Sequence, residues 1–238
     1  MYGALFLLII IAVSSIPVIA VYIWFRVAKY QFSLVRFLLV LITGASAFFP
    51  ALILQDMINF TIPSGGRAEL FYHVFIRIAL TEELSRLLML TIYFLITGYL
   101  TKSNDQNNSD QSVSWNNVKI GAAVGLVAGL GFAILESARY GAFDISVLLL
   151  RTITAAPLHA ACGSRIGTAA MMFRTNPIQA VFRIISATVI HGIYNIMISR
   201  PGFSTTLAIL IAFSALFSAI SIIGSKAGEE YGKSPQNP

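Results

Sequence analysis

Two adjacent glutamates inside an apolar run are the first sign of chemistry: residues 81–86 read Thr81-Glu82-Glu83-Leu84-Ser85-Arg86. Side chains three and four positions apart meet on a helix, so Arg86 reaches both carboxylates. Neighbouring carboxylates repel, and burial disfavours charge on each. One then stays protonated while the other ionises, a division suited to general acid and base work. Arg86 would hold the ionised partner. An ion pair serving only packing needs one acid, not two.

Three further runs carry polar groups where lipid is expected. Phe132 and Glu136 share a helical face in Phe132-Ala133-Ile134-Leu135-Glu136. His159 follows Pro157, which frees a backbone carbonyl and predicts a kink. His191 and Asn195 stand four residues apart, and an Asn there can hold a water or set the imidazole tautomer. Each has a plainer reading: a solvated helix-end carboxylate, a satisfied buried histidine, an interhelical hydrogen bond. Counted from the predicted outer face, Glu82, His159 and His191 lie about 12, 13 and 8 residues deep. At 1.5 Å per residue that is roughly 12–20 Å, with Glu136 and Asn195 one or two turns shallower. One water-filled cavity explains the coincidence better than four accidents. Familiar protease signatures are missing. There is no HExxH helix, Gly129-Leu130-Gly131 runs into Phe132 rather than Asp, and Gly163-Ser164-Arg165 does not make GxSG.

The elements that must position these groups are membrane spans. The chain has 238 residues, 57% hydrophobic and 11% charged, with a mean hydropathy of +0.79. Soluble domains carry about 25% charged residues. A span needs about 20 apolar residues, and seven stretches qualify: 3–25, 34–54, 70–100, 118–140, 146–173, 178–199 and 203–224. The expected fold is an all-α polytopic transmembrane bundle of about seven helices. One domain covers residues 1–225 and includes a disordered cytoplasmic loop at about 102–117; a polar cytoplasmic tail, 226–238, follows it. Gly121, Gly125 and Gly129 line one face of the fourth span for close helix packing. The net charge of +6 fits topology and lipid headgroups, not nucleic acid, because no basic stripe interleaves with aromatics. Arg26, Lys29, Arg36, Lys102, Lys119, Arg174, Arg183, Lys226 and Lys233 fall on one side; Arg67, Arg139 and Arg200 fall on the other, with Arg77 and Arg151 near helix starts. That bias predicts an outside N-terminus and a cytoplasmic C-terminus. Residues 56–68, with Pro63-Ser64-Gly65-Gly66, form an outer loop expected to gate the site. The one cysteine, Cys162, excludes an intrachain disulfide and reads as a small buried residue.

Taken together, Glu82-Glu83-xx-Arg86, Phe132-xxx-Glu136, His159 and His191-xxx-Asn195 resemble the PrsW family of intramembrane proteases. That family shares a clan with the CAAX prenyl endopeptidases and a scaffold subunit of gamma-secretase. CAAX enzymes have FxxxH at the second motif; Glu136 places this chain beside the PrsW branch. Arg86 stands where members often carry Lys, which keeps the charge. The motifs span residues 82–195. The resemblance implies a peptidase of a prokaryotic cytoplasmic membrane, acting on a single-span membrane protein in the lipid bilayer. Similar bacterial proteins make the first, site-1 cut of an anti-sigma factor in regulated proteolysis. Under that reading Glu82 or Glu83 activates water. His159, His191 and Asn195 stabilise the oxyanion or protonate the leaving amine. Glu136 positions the water or helps bind metal. No cofactor follows from the sequence. Zinc is compatible with His159, His191 and Glu136, but the lack of fixed ligand spacing leans toward metal-free, glutamate-dependent catalysis. Two other classes compete: a non-catalytic scaffold binding partner helices, and a small proton-coupled transporter. The doubled acid weighs against the first. The lack of repeated halves weighs against the second.

Overall fold

The computed structural model describes residues 2–30, 32–58, 66–99, 111–141, 144–199 and 202–224. All regular structure in them is helical: α1 (Tyr2–Val27), α2 (Leu34–Ser46), α3 (Phe48–Met57), α4 (Arg67–Phe71), a π-helical segment (Tyr72–Leu80), α5 (Thr81–Ile96), α6 (Gln111–Gly141), α7 (Ile145–Met172), α8 (Pro177–Ile198) and α9 (Phe203–Gly224). Short polar caps set several starts. Ser33 Oγ accepts from Arg36 N–H at 3.2 Å at the start of α2. Asp144 accepts from Ser146 N–H at 2.8 Å before α7, and Asn176 from Gln179 N–H at 3.1 Å before α8. Each answers an N–H that the helix itself cannot.

Six stretches among the described residues are long and apolar enough to cross a membrane: Leu8–Val27, Leu34–Met57, Asn116–Gly141, Ile145–Met172, Pro177–Ile198 and Ser204–Gly224. The polytopic helical bundle expected from the sequence is present, with differences in detail. The second expected span is two helices, α2 and α3, meeting at Ala47. The third, expected over 70–100, is the composite rod of α4, the π-helical segment and α5. It is less apolar because it carries Arg77, Glu82, Glu83 and Arg86. The fourth starts at Gln111, so the expected loop 102–117 ends inside a helix that projects past the apolar window opening at Asn116. Residues 100–110, most of the expected gating loop (59–65) and the tail lie outside the described residues. α7 continues through Pro157 as one helix, so the predicted kink does not interrupt it.

Helix α6 is the axis of the bundle. Inside its apolar window 78% is buried, against 22–28% for the α1, α2–α3, α8 and α9 windows. Between two lipid-soluble helices, packing contacts drive association, and small residues allow the closest approach. A Cβ placed on Gly125 would run into the Gly163 carbonyl, and one on Gly163 into the Gly125 carbonyl. Gly121 abuts the backbone of Gly167, and Gly129 that of His159. The glycine face expected on α6 thus meets a second one on α7, Gly163-xxx-Gly167, not singled out in the sequence. Gly129 against His159 also sets the depth at which that imidazole enters the bundle.

A side chain at Gly125 must force α6 and α7 apart. We expect Gly125→Val to destabilise the protein by about 3 kcal/mol or more, at or beyond the upper end of ordinary overpacking. The check is thermal unfolding in detergent; an unchanged transition would refute the account of this contact.

Candidate active site

The acids enter from the composite rod. Just before Thr81 the backbone widens into the π-helical turn, a form that recurs at functional positions. Thr81 and Ser85 answer their own helix: Thr81 Oγ1 donates to the Arg77 carbonyl at 2.6 Å, and Ser85 Oγ to the Thr81 carbonyl at 2.7 Å. Glu82, Glu83 and Arg86 instead turn inward and are all buried.

Arg86 organises the centre. Its side chain is fully buried and pairs with Glu83 through Nη2 and Oε1. Nη1 lies 3.2 Å from His159 Nδ1 and donates to the His159 carbonyl at 3.4 Å. The guanidinium sits 4.7 Å from the centroid of the Phe132 ring, a cation–π contact. Arginine has donors only, so His159 Nδ1 must be the acceptor. The His159 proton therefore sits on Nε2, which donates to Glu136 Oε2 at 2.5 Å. The same Oε2 receives Arg151 Nη2 at 2.5 Å. His191 is fixed from the other side: its Nδ1 lies 2.8 Å from Glu83 Oε1 and 3.5 Å from Arg86 Nη2, and the shorter contact, to an acceptor-only carboxylate, assigns the ring proton to Nδ1. The two imidazoles meet edge to face, 5.0 Å between centroids, and Phe132 packs on His159 at 5.3 Å.

The two glutamates therefore have different surroundings. Glu83 is tied to Arg86 and His191 through Oε1. Glu82 borders a cavity of about 200 Å³ together with Gln55, His73, Arg77 and Glu136. Gln55 Nε2 donates to Glu82 Oε1 at 3.2 Å, and Gln55 is itself held through its carbonyl by Arg77 Nε at 3.0 Å. Glu82 Oε2 is buried with no hydrogen-bond partner, and His191 Nε2 lies 3.6 Å from it. One atom capable of ligating a metal from each of Glu82, His159 and His191 lies within 4.8 Å of the other two. Glu136, expected in the metal set in place of Glu82, is instead bonded to His159 and Arg151. Asn195, expected beside His191, is half-buried and makes no hydrogen bond to the cluster among the described residues. Gln55 and Arg151 were not anticipated as site residues. Arg151 carried the same signal as the glutamates, a charge inside an apolar helix, but was assigned to topology. Gln55 carried none.

Removing one partner of a buried ion pair strands the other. We expect Arg86→Met to cost about 3–5 kcal/mol, read as a lower thermal midpoint in detergent. Much of it should return in Arg86→Met/Glu83→Leu, where no charge is left unpaired. A double variant no better than the single one would contradict this pairing.

Comparison with known families finds a match. Residues 33–220 match the family described as PrsW family intramembrane metalloprotease. No curated protein and no solved structure matches the chain. The family match spans every residue of the cluster from Gln55 to His191, and the chain accordingly belongs to the PrsW family of intramembrane metalloproteases.

Proposed function

We propose that the protein hydrolyses a peptide bond of a membrane-anchored protein, with Glu82 taking the proton from the attacking water. One observation carries this reading. With the His191 proton assigned to Nδ1, its Nε2 is an acceptor that faces Glu82 Oε2 at 3.6 Å, and Glu82, whose Oε2 has no hydrogen-bond partner, lines the cavity. Two buried acceptors at that spacing call for a water or a cation. A water held there has a base on one side and a carbonyl-sized space on the other. Its oxygen forms the new bond to the peptide carbon while its proton passes to Glu82. The C–N bond then breaks as the amine takes the proton back from protonated Glu82. Glu83 and Arg86 are positioning groups: they hold His191 Nδ1 and His159 Nδ1, so each ring presents a defined nitrogen. Arg151 pairs with Glu136 opposite His159.

The donor set fits zinc. Glu82, His159 and His191 would hold the ion, which would supply the Lewis acidity that makes a bound water nucleophilic. His191 shows the arrangement of a ligating histidine, with its far nitrogen on a carboxylate. His159 would ligate through Nε2 as the neutral ring only with its proton on Nδ1, so the Arg86 contact to that nitrogen would have to give way.

The candidate physiological role is the first cut of an anti-sigma factor in stress signalling, in a prokaryotic cytoplasmic membrane. A single-span substrate suits a site reached from within the bilayer. The cavity opens at the end of the bundle away from Arg26, Lys29, Arg36 and Lys119. Under the positive-inside bias that end is extracytoplasmic, with the N-terminus outside and the C-terminus in the cytoplasm.

Reconstituted protein should cleave a member of a panel of single-span substrates. Glu82→Gln should lower the rate by about 10²–10⁴, the usual worth of a positioned base, with no loss of thermal stability. Glu83→Gln should lower both. Full cleavage by folded Glu82→Gln would remove Glu82 from the mechanism. Metal analysis of active protein should find stoichiometric zinc that is lost in His191→Ala; active protein without metal would leave Glu82 acting alone. The cut, mapped by mass spectrometry of the products, should fall near the extracytoplasmic edge of the substrate span. A cut at the cytoplasmic edge would refute the orientation.

A further inference from the structure

The end of the bundle opposite the acids carries a second polar region that proteolysis leaves unused. Arg26 and Lys29 lie at the end of α1, Arg36 in the first turn of α2 and Lys119 near the start of the α6 span. They border two adjoining cavities, of about 390 and 520 Å³, which share Tyr30 and Phe32. None of the four cations has an acidic partner among the described residues.

Two features mark this as more than a solvated basic rim. The Arg36 guanidinium lies between two rings, 5.0 Å from the Phe32 centroid and 4.7 Å from that of Tyr99. Stacking uses the faces of the group and leaves its N–H edge open, the edge that forks onto a phosphate. Lys29 is the one non-glycine residue with positive φ among the described residues, at 57°. Around it α1 closes with Tyr30 N–H on the Phe25 carbonyl at 3.0 Å, a closure that usually employs glycine. A lysine in that conformation is strained, and such strain collects at functional positions. Beneath these charges, Ile120, Ala123 and Ile223 give the smaller cavity an apolar floor.

We propose that this end binds the phosphate headgroup of an anionic phospholipid. Arg36 forks onto the phosphate, Lys29 and Lys119 flank it, and an acyl chain lies against Ile120 and Ile223. A free phosphate would satisfy the cations but leave the apolar floor empty.

The test is native mass spectrometry of the full chain in detergent, with phosphatidylglycerol, phosphatidylcholine or inorganic phosphate added. Wild type should retain phosphatidylglycerol over phosphatidylcholine. Arg36→Gln and Lys29→Gly should each weaken that retention about fivefold, the worth of one cation near an anionic headgroup. Lys29→Gly relieves the left-handed residue, so it should unfold no earlier than wild type while losing lipid. Arg174→Gln, at the same end but outside the cavities, should change nothing. Equal retention of the two lipids, wild-type retention by Lys29→Gly, or an equal loss in Arg174→Gln would overturn the site. Inorganic phosphate binding as a competitor at the same residues would assign it to a free anion and overturn the lipid reading.

Discussion

A fully buried guanidinium must be matched on every edge, and the centre of this bundle is built around that demand. Arg86 meets a carboxylate, an imidazole nitrogen, a backbone carbonyl and an aromatic face. These come from three helices, α5, α6 and α7, and His191 of α8 is joined through Glu83. An unpaired charge at this depth costs several kcal/mol, so the four helices are held in one register. That register also fixes the chemistry. Because Arg86 can only donate, it sets the tautomer of His159; because Glu83 is occupied by Arg86 and His191, Glu82 is left to face the cavity.

The cluster closes only because the helices can touch. α6 and α7 meet backbone to backbone through Gly121, Gly125 and Gly129 on one side and Gly163 and Gly167 on the other. His159 sits at the end of this contact, opposite Gly129, within 2.5 Å of Glu136 two turns further along α6. Glycines therefore shape the cluster at a distance. They carry no reacting group, yet they bring carboxylate and imidazole within bonding reach inside an apolar interior.

Polarity is divided between the two ends of the bundle. One end holds paired acids and imidazoles beside a small cavity. The other holds cations without acidic partners among the described residues, beside aromatic rings. The composite rod links the two: α5 carries Glu82 near its start, and Tyr99, just past its end, stacks on Arg36. An anionic headgroup at Arg36 would thus bear on the same helix that aims the acids.

The membrane bundle was legible from composition and run lengths, because nothing but a helix satisfies its backbone in lipid. The cluster was legible too: Glu82, Glu83, Arg86, Glu136, His159 and His191 stand out where ionisable groups are costly, and the tertiary structure brings them together. Asn195 shared the face of His191 by spacing yet makes no hydrogen bond to the cluster among the described residues, since spacing gives direction along one helix and not what lies opposite. The same limit hid Gln55, the pairing of Arg151 with Glu136, and the place of Glu82 rather than Glu136 beside the two histidines. The sequence by itself determined which residue types lie at membrane depth and on which helices. Only the tertiary structure decided which carboxylate faces the cavity. Successive residues on a helix point about 100° apart, and the choice between them rests on which neighbouring helix answers each one.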